Sequence, residues 1–137
     1  MSDTDHFGPI DYIVVEFPDG RIDPNGFAVL LDLVDRGAFR ILDLEFVDAT
    51  GALLPIENLG PDLVPFVGAT SGLLDRSDFA EIAAELSPAS VAAVLVYEEL
   101  TMLPVLTAWE NSGAKLLTEG QLTLDELDTA LTETEGL

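Results

Sequence analysis

The sequence has no cysteine and a single histidine, His6. The missing cysteine excludes disulfides, thiolate nucleophiles and zinc held by sulfur. Basic residues are nearly as scarce. Arg21, Arg36, Arg40, Arg76 and Lys115 stand against 26 Asp and Glu, for a net charge of -21. So few and so scattered cations make no patch for a phosphate backbone, which excludes nucleic-acid binding of that kind. An acidic surface is repelled by anionic lipid headgroups for the same reason. No apolar run approaches the roughly 20 residues of a membrane helix. Met1–Pro9 also lacks the basic and apolar regions of a signal peptide. These absences predict a cytoplasmic protein without membrane insertion. Its acidic surface then serves solubility in a salty or crowded interior, or meets cations or basic proteins.

What is present is apolar residues in quantity, 48% of a chain of 137. That length predicts one domain, 1–137, with an ordered core over about 8–131 and flexible ends at 1–7 and 132–137. The run Val91–Tyr97, VAAVLVY, carries no charge and is too short for an ordinary helix. It predicts a strand covered on both faces at the centre of a sheet. Ile10–Phe17, IDYIVVEF, is placed beside it. Ile13, Val15 and Phe17 make one face, and Ile10, Tyr12, Val14 and Glu16 the other. Phe39–Asp48 sets Leu42, Leu44 and Phe46 against Asp43 and Glu45, the alternation of a half-exposed strand at or near an edge. Ala52–Glu57 folds back as a short hairpin partner, confined to an edge by Pro55. Ala114–Leu122 reads as a weaker edge strand.

Helical stripes separate these runs. Asp23 caps the first helix, with Pro24 at its first position and Phe27, Leu30, Leu31 and Val34 on one side, and Gly37 ends it. Asp75 or Ser77 caps a second, with Phe79, Ile82, Ala83 and Leu86, stopped by Pro88. Thr101 starts a third, with Met102, Val105, Leu106 and Trp109, closed by Gly113, and core packing is the reading for Trp109. A capping box of Thr123 and Glu126 opens a short last helix over Leu124, Leu127 and Leu131. Between Asn58 and Gly72 the glycines and prolines allow no regular element, yet Leu63, Val64, Phe66 and Val67 imply that the loop packs down.

Two βαβ units, Ile10–Asp48 and Val91–Leu122, thus flank an inserted loop and helix. The predicted class is α+β: a ferredoxin-like split βαβ sandwich, first and third strands central, helices on one sheet face. The alternative is a doubly wound parallel sheet, against which the half-polar second strand weighs.

The segments GPIDYIVVEF, VDRGAFRILDLEFV, LLDRSDFAEIAAELSPASVAAVLVYEE and GAKLLTEGQLTLDEL resemble a group of small bacterial domains of unknown function. That group is related to longer stress-associated proteins with a central glycine-rich apolar hairpin, which looks membrane-active there. In this chain only Leu59–Gly72 stands in that place, too short and proline-broken to span. The resemblance covers most of Gly8–Leu131 through packing patterns. It implies a stress association and transfers no catalytic residue.

Candidate chemistry is sparse. Asp23, Asn25 and Gly26 fit three positions of a calcium loop, but Arg21 occupies the first and Asp32 the last, so a helix start is the reading. His6 with Asp3 and Asp5 offers metal ligands that nothing holds in place. Asp43 and Glu45, with Glu16 near, are expected as solvated acids of an outer face. Glu98 and Glu99 end the central strand, where sites collect. No nucleophile is paired with a base and no glycine loop has phosphate-binding spacing. The expectation is a non-enzymatic interaction module with no cofactor and no metal. It pairs as a homodimer through an open sheet face, or meets another protein, with Tyr12, Val14, Leu63, Phe66 and Tyr97 as candidate contact residues. The alternative is a small-molecule binding protein or small enzyme using the cavity over the sheet.

Overall fold

The structure is a computed structural model describing residues 8–117. The chain divides into two units, Met1–Leu103 and Pro104–Leu137.

The first unit is built on a four-stranded sheet. Its strands are β1 (Ile10–Phe17), β2 (Phe39–Asp48), β3 (Leu53–Leu54) and β4 (Val91–Glu99), in the order β1-β4-β2-β3. All neighbours are antiparallel. The apolar run at 91–97 is central, as its composition predicts, with Ile10–Phe17 beside it; but Ile10–Phe17, expected to be central too, is an edge strand among the described residues, and the second inner place goes to Phe39–Asp48. The hairpin partner expected over Ala52–Glu57 is shorter, Leu53–Leu54, because Ile56 and Glu57 enter a 3-10 turn after Pro55. The helix α1 (Pro24–Asp35) carries the chain from β1 to β2, which lie parallel to each other on either side of β4. That is one split βαβ unit, in a mixed α+β fold.

Two further expectations need correction. First, the helices do not share a face. Val91, Ala93 and Leu95 of β4 pack with Leu44, Phe46 and Phe27 of α1. Ala92 and Val94 pack with Val47 and with Phe79 of α2 (Arg76–Glu85). Because strand side chains alternate, these sets lie on opposite faces. A strand as evenly apolar as β4 calls for cover on both. Second, β2 is not half exposed. A register shift between Ile41 and Asp43 turns Asp43, Glu45 and Val47 to the α2 face, and every residue from Asp43 to Val47 is buried.

Helix starts follow local chemistry. Asp23 accepts from the Asn25 amide at 2.9 Å, capping α1 with Pro24 behind it. Asp75 and Asp78 form a reciprocal capping box on α2. Gly37 ends α1 at φ 77°, in the left-handed region that favours glycine.

The segment that resists sequence reading wraps the β2 edge. Short 3-10 turns at Ile56–Asn58 and Pro61–Phe66 drive Ile56, Leu63 and Phe66 into the core on the α1 side. There the Phe27 ring meets Phe66 at 5.6 Å, Phe46 at 5.8 Å and Phe17 at 6.2 Å. The chain then runs along β2. The Leu44 amide donates to the Ala69 carbonyl at 3.2 Å, and Thr70 Oγ1 donates to the Leu44 carbonyl at 2.8 Å. It emerges on the other face, where Leu74 joins the α2 cluster.

α3 (Leu103–Asn111) starts at the boundary of the two units and has Pro104 in its first turn. Trp109 is exposed rather than in a core. Residues 114–117 form no strand, so the start of the expected Ala114–Leu122 strand is corrected. The rest of that strand, the last helix with Leu124, Leu127 and Leu131, and His6 with Asp3 and Asp5 lie outside the described residues.

Candidate functional site

Two features of the first unit merit a functional reading: carboxylates buried in the sheet, and the surface around β1.

Asp43 is fully buried and Glu45 is 6% exposed, side by side on the α2 face of β2. Both were expected in solvent. The crossing segment 69–73 covers this stretch instead. Asp43 Oδ1 accepts from the Ser71 amide at 2.8 Å and Oδ2 from the Leu73 amide at 3.3 Å. Ser71 Oγ adds a bond to the Leu42 carbonyl at 2.5 Å. Asp43 therefore pins the segment that seals it. Glu45 is the proton carrier. Burial first, then its hydrogen bond to Asp43 and the repulsion of that charge, push its carboxyl up to about 7. Near neutrality it holds a proton for Asp43. Paired carboxylates of this kind can perform acid–base chemistry where a substrate reaches them. Here Asp43 is occupied by backbone amides, and Glu45 Oε2 is buried without a partner. The pair fastens the fold.

Glu98 is also buried. It accepts from the Gly8 amide at 2.7 Å, and its Oε1 lies 2.6 Å from Arg40 Nη2. Glu99 is half-buried and accepts from Thr101 Oγ1 at 2.9 Å. The strand end that looked suited to chemistry is an ion-paired clasp on the N-terminal segment. Glu16 lies apart, accepting from the Ser87 amide at 2.8 Å. That bond is the main reason its carboxyl sits below the usual range. Among the described residues no three His, Asp or Glu are grouped to hold a metal ion, and no helix is long and apolar enough to cross a membrane.

β1 is the opposite of β4. It pairs with β4 on one side only, and among the described residues its other edge is free. Tyr12 is 72% and Val14 41% exposed on one face, with Ile13 and Val15 exposed on the other. The helical layer expected on one sheet face does not cover Ile13 and Val15. Instead α1 lies over Phe17 and the β4 side, leaving a recess of about 330 Å3 walled by Ile13, Val15, Phe27 and Leu30. On the α2 face a larger groove, about 510 Å3, runs between β1 and α2. Tyr12, Val14, Val94, Val96, Leu74 and Ile82 line it, with Asp78, Glu81 and Glu85 along its α2 side.

The five candidate contact residues do not form one patch. Tyr12 and Val14 share the groove. Tyr97 is half-buried on the α1 face, its ring edge-on to Phe39 at 5.4 Å. Leu63 and Phe66 belong to the core, so their expected role in contact is corrected. Sequence reading missed Val94, Val96, Leu74 and Ile82. The signals were there: β4 is apolar on both faces, and Ile82 lies on the stripe of α2. Compared with known proteins, the chain matches no family model, and neither a curated protein nor a solved structure is significantly similar to it.

Proposed function

We propose that this chain is a cytoplasmic, non-enzymatic interaction module that self-associates through β1, with a stress association by way of the family it resembles. One observation carries this reading: an eight-residue edge strand whose apolar side chains are exposed on both faces. Soluble proteins blunt such edges with lysine, proline, bulges or brevity. β1 has no Lys, Arg or Pro and pairs with β4 in unbroken register. The contact is the free edge rather than an open face, since α2 takes part of that face.

The geometry of pairing is specific. The Glu99 amide donates to the Pro9 carbonyl at 2.8 Å. In an antiparallel ladder every second residue then turns its backbone toward β4. Odd positions bond β4, and Tyr12, Val14 and Glu16 present their amides to the free edge. A two-fold pairing centred on Val14 sets Val14 against Val14, Tyr12 against Glu16 and Asp11 against Phe17. No acid then opposes an acid. The split βαβ unit of β1, α1 and β2 around β4 supports a ferredoxin-like reading of the fold, in which a second copy's β1 adds a strand on the free side. The enzymatic alternative draws nothing from Asp43 and Glu45, whose oxygens are occupied or sealed.

The test is light scattering at high micromolar concentration. Wild type is expected to be a dimer that tightens with added sodium chloride, because screening weakens repulsion between chains of net charge -21. Val14→Pro removes an outward amide and leaves the β4 ladder intact, so it is expected to give a folded monomer. A monomeric wild type, or a Val14→Pro dimer as tight as wild type, would sink this reading.

A further inference from the structure

We propose that the groove between β1 and α2 is a docking site for a basic amphipathic helix of a partner protein. This site rests on the interaction reading above and deepens it by giving the partner's chemistry. The groove offers two things at once. Its floor is apolar: Tyr12 and Val14 from β1, Val94 and Val96 from β4, Ile82 from α2 and Leu74 before it. One side, along α2, is acidic: Asp78, Glu81 and Glu85, with no Lys or Arg among the lining residues. At about 510 Å3 it has room for a few large side chains, the kind that one face of a helix presents at i, i+3 and i+4.

Charge decides between occupants. A second copy would bring its own acids against Glu81 and Glu85, and a like-charged rim repels association. Anionic lipid is repelled likewise. A helix with apolar residues on one side and Lys or Arg flanking them satisfies both the floor and the rim. The chain's own cations are few, and two of the five are already engaged: Arg36 with Asp32 at 3.0 Å and Arg40 with Glu98 at 2.6 Å.

The probe is a synthetic fluorescent peptide of about fourteen residues, four helical turns, with leucines on one face and lysines elsewhere. A second peptide replaces the leucines by serine. Anisotropy is read on the full chain. The leucine–lysine peptide is expected to bind saturably, one per chain, and the serine peptide at least about tenfold more weakly. Glu81→Lys with Glu85→Lys, and separately Tyr12→Ser, are expected to weaken binding by a similar factor. All three positions are exposed, and circular dichroism confirms that each variant folds. Reversing two exposed acids elsewhere, Glu57→Lys with Asp62→Lys, is expected to leave binding unchanged. An equal loss from the remote pair would reduce the contact to diffuse attraction and overturn the proposal. Failure of wild type to bind would overturn it too. Light scattering on the same samples reads self-association separately, so either reading can fail without the other.

Discussion

At pH 8, Glu45→Gln is expected to melt about 10 °C above wild type, and at pH 4.5 at nearly the same temperature. The reason is a proton. The folded-state carboxyl of Glu45 titrates near 7, raised from an ordinary 4.5 by burial and by Asp43. A group raised in the folded state stabilises fully below its unfolded value. That contribution is lost as pH climbs from 4.5 through 7. A shift of this size corresponds to about 3 kcal/mol, or about 10 °C in a domain of this length. Glutamine keeps the shape, offers an N–H to Asp43 in place of the acid proton, and does not titrate. Other acids move the absolute curve the opposite way. The carboxyls of Asp48 and Asp75 are held low chiefly by the hydroxyls of Thr50 and Ser77, and Glu16 chiefly by the Ser87 amide. They favour the fold above their ordinary values and lose that effect as pH falls. Subtracting wild type from variant at each pH removes them. A difference independent of pH between 4.5 and 8 would show that Glu45 is not the titrating group.

The same residue shows where sequence reading stops. The central position of Val91–Tyr97, the strand beside it, the Asp23 and Asp75 caps and the Leu53–Leu54 hairpin were legible because each rests on residues adjacent in the chain. Asp43 and Glu45 were not. Alternation along Phe39–Asp48 identifies two faces but not what lies over the polar one. That cover comes from residues 69–73, some thirty positions on, and its tie is the Asp43 carboxylate accepting the Ser71 and Leu73 amides. The bulge at Leu42 is equally silent in composition. The helices show the same limit. The stripes of α1 and α2 say that each buries one side, while the choice of sheet face is made by connections. The apolar residues of both faces of β4 were the available clue that one helical layer would not suffice. The β1 surface was half legible: Tyr12 and Val14 were singled out as candidate contact residues and are exposed, but their groove partners come from β4 and α2.

Arg40→Ala is expected to cost about 3 kcal/mol, although Arg40 looks like a surface residue. Its side chain is half exposed, but the carboxylate it faces is not: the Glu98 side chain is 2% exposed. Removing the guanidinium leaves a buried charge whose remaining hydrogen-bond partner is the Gly8 amide. Breaking one half of a buried pair is far more damaging than replacing both halves, because the orphaned charge keeps its desolvation cost. Glu98→Gln should therefore partly rescue Arg40→Ala. Its amide oxygen can still accept from Gly8, and no charge remains to be compensated. The N-terminal segment adds a second readout. Gly8 lies against the Glu99 backbone so closely that a Cβ would overlap the carbonyl oxygen and come within 2.8 Å of its carbon. Gly8 can thus stay only while the clasp holds, and Arg40→Ala should expose its amide to hydrogen exchange, with the double variant recovering protection. Urea melts of the two single variants and the double variant provide the energies. Additive losses, with no rescue, would mean that Glu98 is solvated once Arg40 is gone and that the clasp is not a buried ion pair.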